Sequence, residues 1–191
     1  MVFGLTGHTV IGMLDALGRS SIRYVSTRHE QVAAHAADGY ARASGKPGVL
    51  LTHLGPGLTN AATGVANAAL DSIPMVVIAG DIPSHYYGKH PHQEVNLHSD
   101  ASQSEIYRPF VKRAWRADQP HLFPEIIEKA FALAASGRPG PVLVDVPMDI
   151  FSKEIDVKLW ERLRLNTKKV KRPSLDDETA TEIVRKLLAA K

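Results

Sequence analysis

The stretch "TRHEQVAAHAADGYARASGKPGV", residues 27–49, sets one acid, Glu30, at the entrance to a run of small residues. A carboxylate in that place can face the positive end of a helix dipole. Shielded from water, it can instead exchange a proton with a bound group. Spacing alone favours the helix-terminal role. A second candidate is "LGPGLTN", where Gly55, Pro56 and Gly57 make a rigid turn with backbone amides free near a helix start. Neither GxGxxG nor GxxxxGK[ST] is present, so the turn reads equally as a phosphate cradle or as a tight connection with Asn60 bonding the backbone. His85, His90, His92 and His98 share one polar loop with Asp81, Glu94 and Asp100. No HxxxH or HExxH pair occurs among the nine histidines, so no metal site is expected there. The absence of cysteine and of a GxSxG elbow excludes a thiolate nucleophile and gives a serine hydrolase no support.

These residues fall between short apolar runs at 2–4, 22–27, 48–54, 74–80, 110–115 and 141–146. Helical patterns lie near 9–18, 30–44, 58–71 and 121–136. Nearly continuous apolar strands alternating with helices predict a doubly wound α/β domain, with a mostly parallel six-stranded sheet covered on both faces. Ligands bind such sheets at the C-terminal ends of the strands, where Gly7, Glu30, Gly55 and the 81–94 loop all fall. The small residues after Glu30 allow close approach by a neighbouring backbone or a flat ligand. Gly39, costly within a helix, is expected to be crowded.

The sheet domain is expected over 1–151, a charged linker over 152–173, and the first helix of a further domain over 174–191. Ser174 is the expected cap, and Ile183, Leu187 and Leu188 the apolar face. A strand so near Met1 suggests that a covering helix is missing. The basic run "RLRLNTKKVKR" lacks interleaved aromatics and reads as a solvated linker, so no nucleic-acid partner is expected. At 44% hydrophobic residues, with no apolar run of about 18 and no signal peptide, the chain is expected to be soluble and cytoplasmic.

Six segments occur together in order: "VFGLTGH", "RHEQVAAHAADGYARASGKPGV", "GPGLTN", "ALDSIPMVVIAGDIP", "HQEV" and "SGRPGPVLVDVPMD". In this respect residues 1–151 resemble the N-terminal, pyrimidine-binding domain of acetolactate synthase-like enzymes that use thiamine diphosphate. The resemblance implies that Glu30 bonds N1′ of the cofactor's aminopyrimidine, favouring the tautomer whose 4′ nitrogen takes the thiazolium C2 proton. That role requires a carboxyl group buried by cofactor and partner chain. It places Gly55, Pro56, Gly57 and Asn60 beside the pyrimidine, Gln93 near the reaction centre and Gly7 on the substrate side. The implied chemistry is decarboxylation or carboligation of a 2-keto acid. The family's GDG…N motif, which anchors diphosphate and Mg²⁺, is not in this sequence. The expected assembly is therefore a homo-oligomer of a longer chain or a pairing with a separate diphosphate-binding chain. FAD is a further cofactor that the resemblance allows in the full-length enzyme. A non-catalytic interaction domain of the same fold is the alternative. His8, Leu54 and His92 depart from the family pattern, as does the long "NLHSDASQSEIYRPF" segment, and these departures leave the substrate open.

Overall fold

A computed structural model describes residues 1–89, 91–95, 103–156, 158 and 176–190. The chain runs β1 (Val2–Gly4), α1 (Ile11–Gly18), β2 (Tyr24–Ser26), α2 (Glu30–Ser44), β3 (Gly48–Thr52), α3 (Pro56–Leu70) and β4 (Met75–Asp81). It continues through β5 (Ala114–Arg116), α4 (Phe123–Ala135), β6 (Pro141–Pro147), α5 (Met148–Phe151) and α6 (Asp177–Ala189). The six strands form one parallel sheet in the order β2-β1-β3-β4-β6-β5. The doubly wound α/β expectation therefore holds. Every residue of β3, β4 and β6 is buried, which explains why those strands read as unbroken apolar runs.

Register sorts the core by alternation. Phe3, Leu50, Val77 and Leu143 pair across four strands and face one layer, with Ala33, Ala34 and Ala37 of α2 and Leu58, Ala61 and Val65 of α3. Leu51, Ile78 and Val144, one residue along, face the opposite layer with Ala130 and Ala134 of α4. The alanines of α2 thus serve packing within the chain. A Cβ at Gly64 of α3 would lie 2.5 Å from that of Ala34, so these two helices meet at van der Waals limits. Gly39, in contrast, has open space where a side chain would stand, so crowding within the chain does not explain it.

Differences from expectation concentrate at edges. Strand β5 begins at Ala114 and not near Phe110, because Phe110 and Val111 close a turn onto Tyr107. At α6 the cap is Asp176, whose carboxylate accepts from the Thr179 amide at 2.8 Å; Ser174 lies outside the described residues. Ile183, Leu187 and Leu188 of α6 are exposed. On the α1/α4 face, an apolar cleft of about 800 Å³ lies among Val2, Leu17, Val49, Ile78, Ile127 and Phe131. Among the described residues no helix is long and apolar enough to cross a membrane.

Candidate functional site

Strands β1 and β3 are neighbours whose following helices cover opposite faces of the sheet, so a crevice opens at their C-terminal ends. Gly7 follows β1, and His53 to Gly57 follow β3. The helix carrying Glu30 starts beside them.

At the start of α2 the capping acceptor is His29, in extended conformation, with Nδ1 taking the Gln31 amide at 3.2 Å. Glu30 is therefore released from capping, and its side chain turns inward to 6% exposure. Its Oε2 accepts from Asn60 Nδ2 at 3.0 Å. Asn60 thus bonds a side chain and not the backbone, against one of the two sequence-based expectations. Asn60 lies one turn into α3, so it reaches Glu30 only because α2 and α3 pack closely.

The turn before α3 is set by Gly55, at φ 48° and ψ −99°, and by Pro56, which opens the helix where no amide donor is needed. A Cβ on Gly55 would sit 2.1 Å from the Gln93 carbonyl oxygen. The Gly55 amide donates to Gln103 Oε1 at 2.8 Å. A Cβ on Gly57 would sit 3.2 Å from the His53 Cβ and 3.7 Å from Glu30 Oε1, so that glycine backs both groups. Leu54 is buried, while His8 and His92 are exposed.

His53 links the remaining pieces. Its Nδ1 lies 2.6 Å from Thr9 Oγ1 and its Nε2 lies 2.8 Å from Gln93 Oε1. The ring of His8 meets it edge-on, with centroids 4.6 Å apart. A side chain at Gly7 would collide with the His53 ring, which gives that glycine its physical reason. Burial lowers the His53 pKa; the hydrogen bond to Gln93 opposes this, His8 adds to the lowering, and Glu30 opposes it.

Beneath the turn lies a buried polar network. Gln103 Nε2 donates to the Gly80 carbonyl at 2.9 Å and to Asp145 Oδ1 at 2.7 Å. Arg116 pairs with Asp81 at 2.7 Å and stands 3.8 Å from Asp145 Oδ2. Burial, reinforced by the Asp81 charge, pushes Asp145 up to about 8, and burial also raises Asp81. Tyr107, fully buried, donates to the Leu58 carbonyl at 2.6 Å and so fastens the first turn of α3. Sequence reasoning passed over His53, Thr9, Gln103, Tyr107 and Arg116. A histidine two residues before the GPG turn was the one local signal available.

The chain matches the family "Thiamine pyrophosphate enzyme, N-terminal TPP binding domain" over residues 1–103. It belongs to that family. It is 47% identical over 152 residues to the acetolactate synthase isozyme 3 large subunit of Escherichia coli, covering 79% of this chain and 25% of that protein. It is 43% identical over 157 residues to a probable acetolactate synthase large subunit of Methanococcus aeolicus, covering 82% and 25%. The chloroplastic acetolactate synthase of Arabidopsis thaliana is 40% identical over 190 residues, 98% of this chain and 27% of that protein. The chain thus spans about a quarter of the length of the curated relatives it matches.

As a thiamine pyrophosphate-binding domain, the chain fits the aminopyrimidine through its own donor set. Asn60 occupies one oxygen of the buried Glu30, and no hydrogen bond from a described residue reaches Oε1. An acceptor on a carboxyl group only 6% exposed, beside a glycine backbone, suits a protonated ring nitrogen. Among the described residues, no three His, Asp or Glu side chains could jointly hold a metal ion. His90, His98 and Asp100 of the sequence-noted cluster lie outside the described residues.

Proposed function

We propose that this chain holds the aminopyrimidine of thiamine diphosphate in an enzyme that decarboxylates or ligates 2-keto acids. The observation that carries this reading is Glu30: buried, capping nothing, and bonded by Asn60 through one oxygen only. When bound, the cofactor supplies an acidic C2 carbon and a thiazolium that accepts electrons from a bond cleaved beside a keto group.

This chain's own residues hold the ring and handle its proton. Glu30 would share a proton with the ring nitrogen through Oε1, on a carboxyl group largely shielded by the protein. Asn60 fixes the carboxyl plane. Gly55 and Gly57 leave the turn without side chains on either side of Pro56, which stiffens it, so that a flat ring can lie against the glycine backbone. Gln93 and Gly7 border the substrate side. Diphosphate and Mg²⁺ are held by residues beyond this chain, on a longer polypeptide or a second subunit, and the working form is an oligomer. FAD, where used, would bind there too. The similarity to acetolactate synthases makes small 2-keto acids the first substrates to try.

Glu30→Gln in the full-length enzyme should slow exchange of the cofactor's C2 proton by orders of magnitude, since the amide cannot pass a proton to the ring. Deuterium exchange followed by NMR reads this directly. Wild-type exchange in the variant would remove Glu30 from the role.

A further inference from the structure

One buried hydroxyl at the site has a single partner. Thr9 is fully buried, and Oγ1 reaches His53 Nδ1 and no other described group. A buried O–H left undonated loses its bond to water without replacement. Thr9 therefore donates, and Nδ1 carries the lone pair. The proton of the neutral ring then sits on Nε2 and points at Gln93 Oε1, which can only accept.

That order fixes the Gln93 amide. With its oxygen turned to His53, the NH₂ group faces away, and no described residue accepts from it. The Gln93 backbone is held as firmly, at φ 69° with its carbonyl against Gly55. His53 has little freedom either, because the backbones of Gly7 and Gly57 lie against it. The titratable groups facing its ring are His8 and Glu30. Burial favours the neutral ring.

We propose that His53 is a positioning residue: Thr9 sets its tautomer, and it turns the Gln93 amide so that the NH₂ group donates to the carboxylate of a 2-keto acid substrate. The assignment rests on the reading in which Glu30 serves the aminopyrimidine.

Two measurements test it. Long-range ¹H–¹⁵N spectra of the 191-residue chain, with the His53 signals identified through His53→Gln, report the tautomer. The expected result is a neutral ring protonated on Nε2 at pH 7 in the wild type, and a mixture of tautomers in Thr9→Val, which keeps the β-branch and loses the donor. A wild-type ring protonated on Nδ1, or on both nitrogens, overturns the proposal.

In the full-length enzyme, with pyruvate as the probe, Thr9→Val and His53→Leu should raise KM about tenfold or more, with a far smaller effect on C2 exchange. His53→Gln, which can still donate to Gln93, should recover most of the KM. An unchanged KM in both Thr9→Val and His53→Leu overturns the positioning role while leaving Glu30 untouched. Absence of Glu30-dependent C2 exchange in the wild type would instead overturn the aminopyrimidine reading, and the substrate role with it. A His53→Leu chain that fails to fold leaves Thr9→Val to decide.

Discussion

Gly55 carries two constraints at once: a left-handed backbone and the Gln93 carbonyl where a side chain would stand. Gly55→Ala should cost about 1–3 kcal/mol of stability and push Gln93 from its place. Urea unfolding checks it, and a loss below about 0.5 kcal/mol would show that the turn can relax. Asp145 makes a prediction about pH. Folded, it is pushed up to about 8, against about 3.9 in an unfolded chain. Between those values the folded protein keeps a proton that the unfolded chain has released. This group's contribution to stability therefore falls as pH rises through the window, by at most about 1.4 kcal/mol per pH unit. Asp145→Asn mimics the neutral acid and should flatten the decline between pH 5 and 8 in urea midpoints. A slope identical to wild type would place the proton elsewhere. At this scale the sequence showed Glu30, Asn60 and the GPG turn as candidates, but not which bond each makes. Asn60 reaching Glu30, and His29 taking the cap, depend on side-chain geometry that no spacing rule contains.

Among the elements, the described part of the segment that departs from the family pattern braces the turn before α3. Its 3₁₀ helix Gln103–Tyr107 places Gln103 under Gly55 and Tyr107 under Leu58. Tyr107→Phe removes the donor to a buried carbonyl and should cost about 1–3 kcal/mol. Thermal unfolding with far-UV circular dichroism measures it; a melting temperature equal to wild type would mean that the carbonyl finds another donor. Strands β3, β4 and β6 and helices α2 and α3 were legible because burial on both faces demands continuous apolar runs, and Gly45 closes α2 in left-handed conformation. Strand β5, an edge of three residues, was placed too early because its apolar neighbours Phe110 and Val111 pack against the α2/α3 layer instead of joining the ladder.

For the whole molecule, the doubly wound sheet gathers residues from four separate loops at the crevice between β1 and β3, which on the proposed reading would take the aminopyrimidine end of the cofactor. Isolated, the 191-residue chain should bind thiamine diphosphate with Mg²⁺ more weakly than about 100 μM, because the charged end of the ligand would stay in water. Titration calorimetry tests this, and a micromolar dissociation constant would show that the chain holds the diphosphate itself. The alternation of apolar runs and helices determined the fold class, and ordered motifs determined the family resemblance, because both are patterns along the chain. The tertiary structure alone decided that Thr9, His53 and Gln93 form one line and that Gln103 joins Gly55 to Asp145. Those partners lie 40 to 48 residues apart, and only the crossing of the sheet brings their polar atoms within hydrogen-bonding distance.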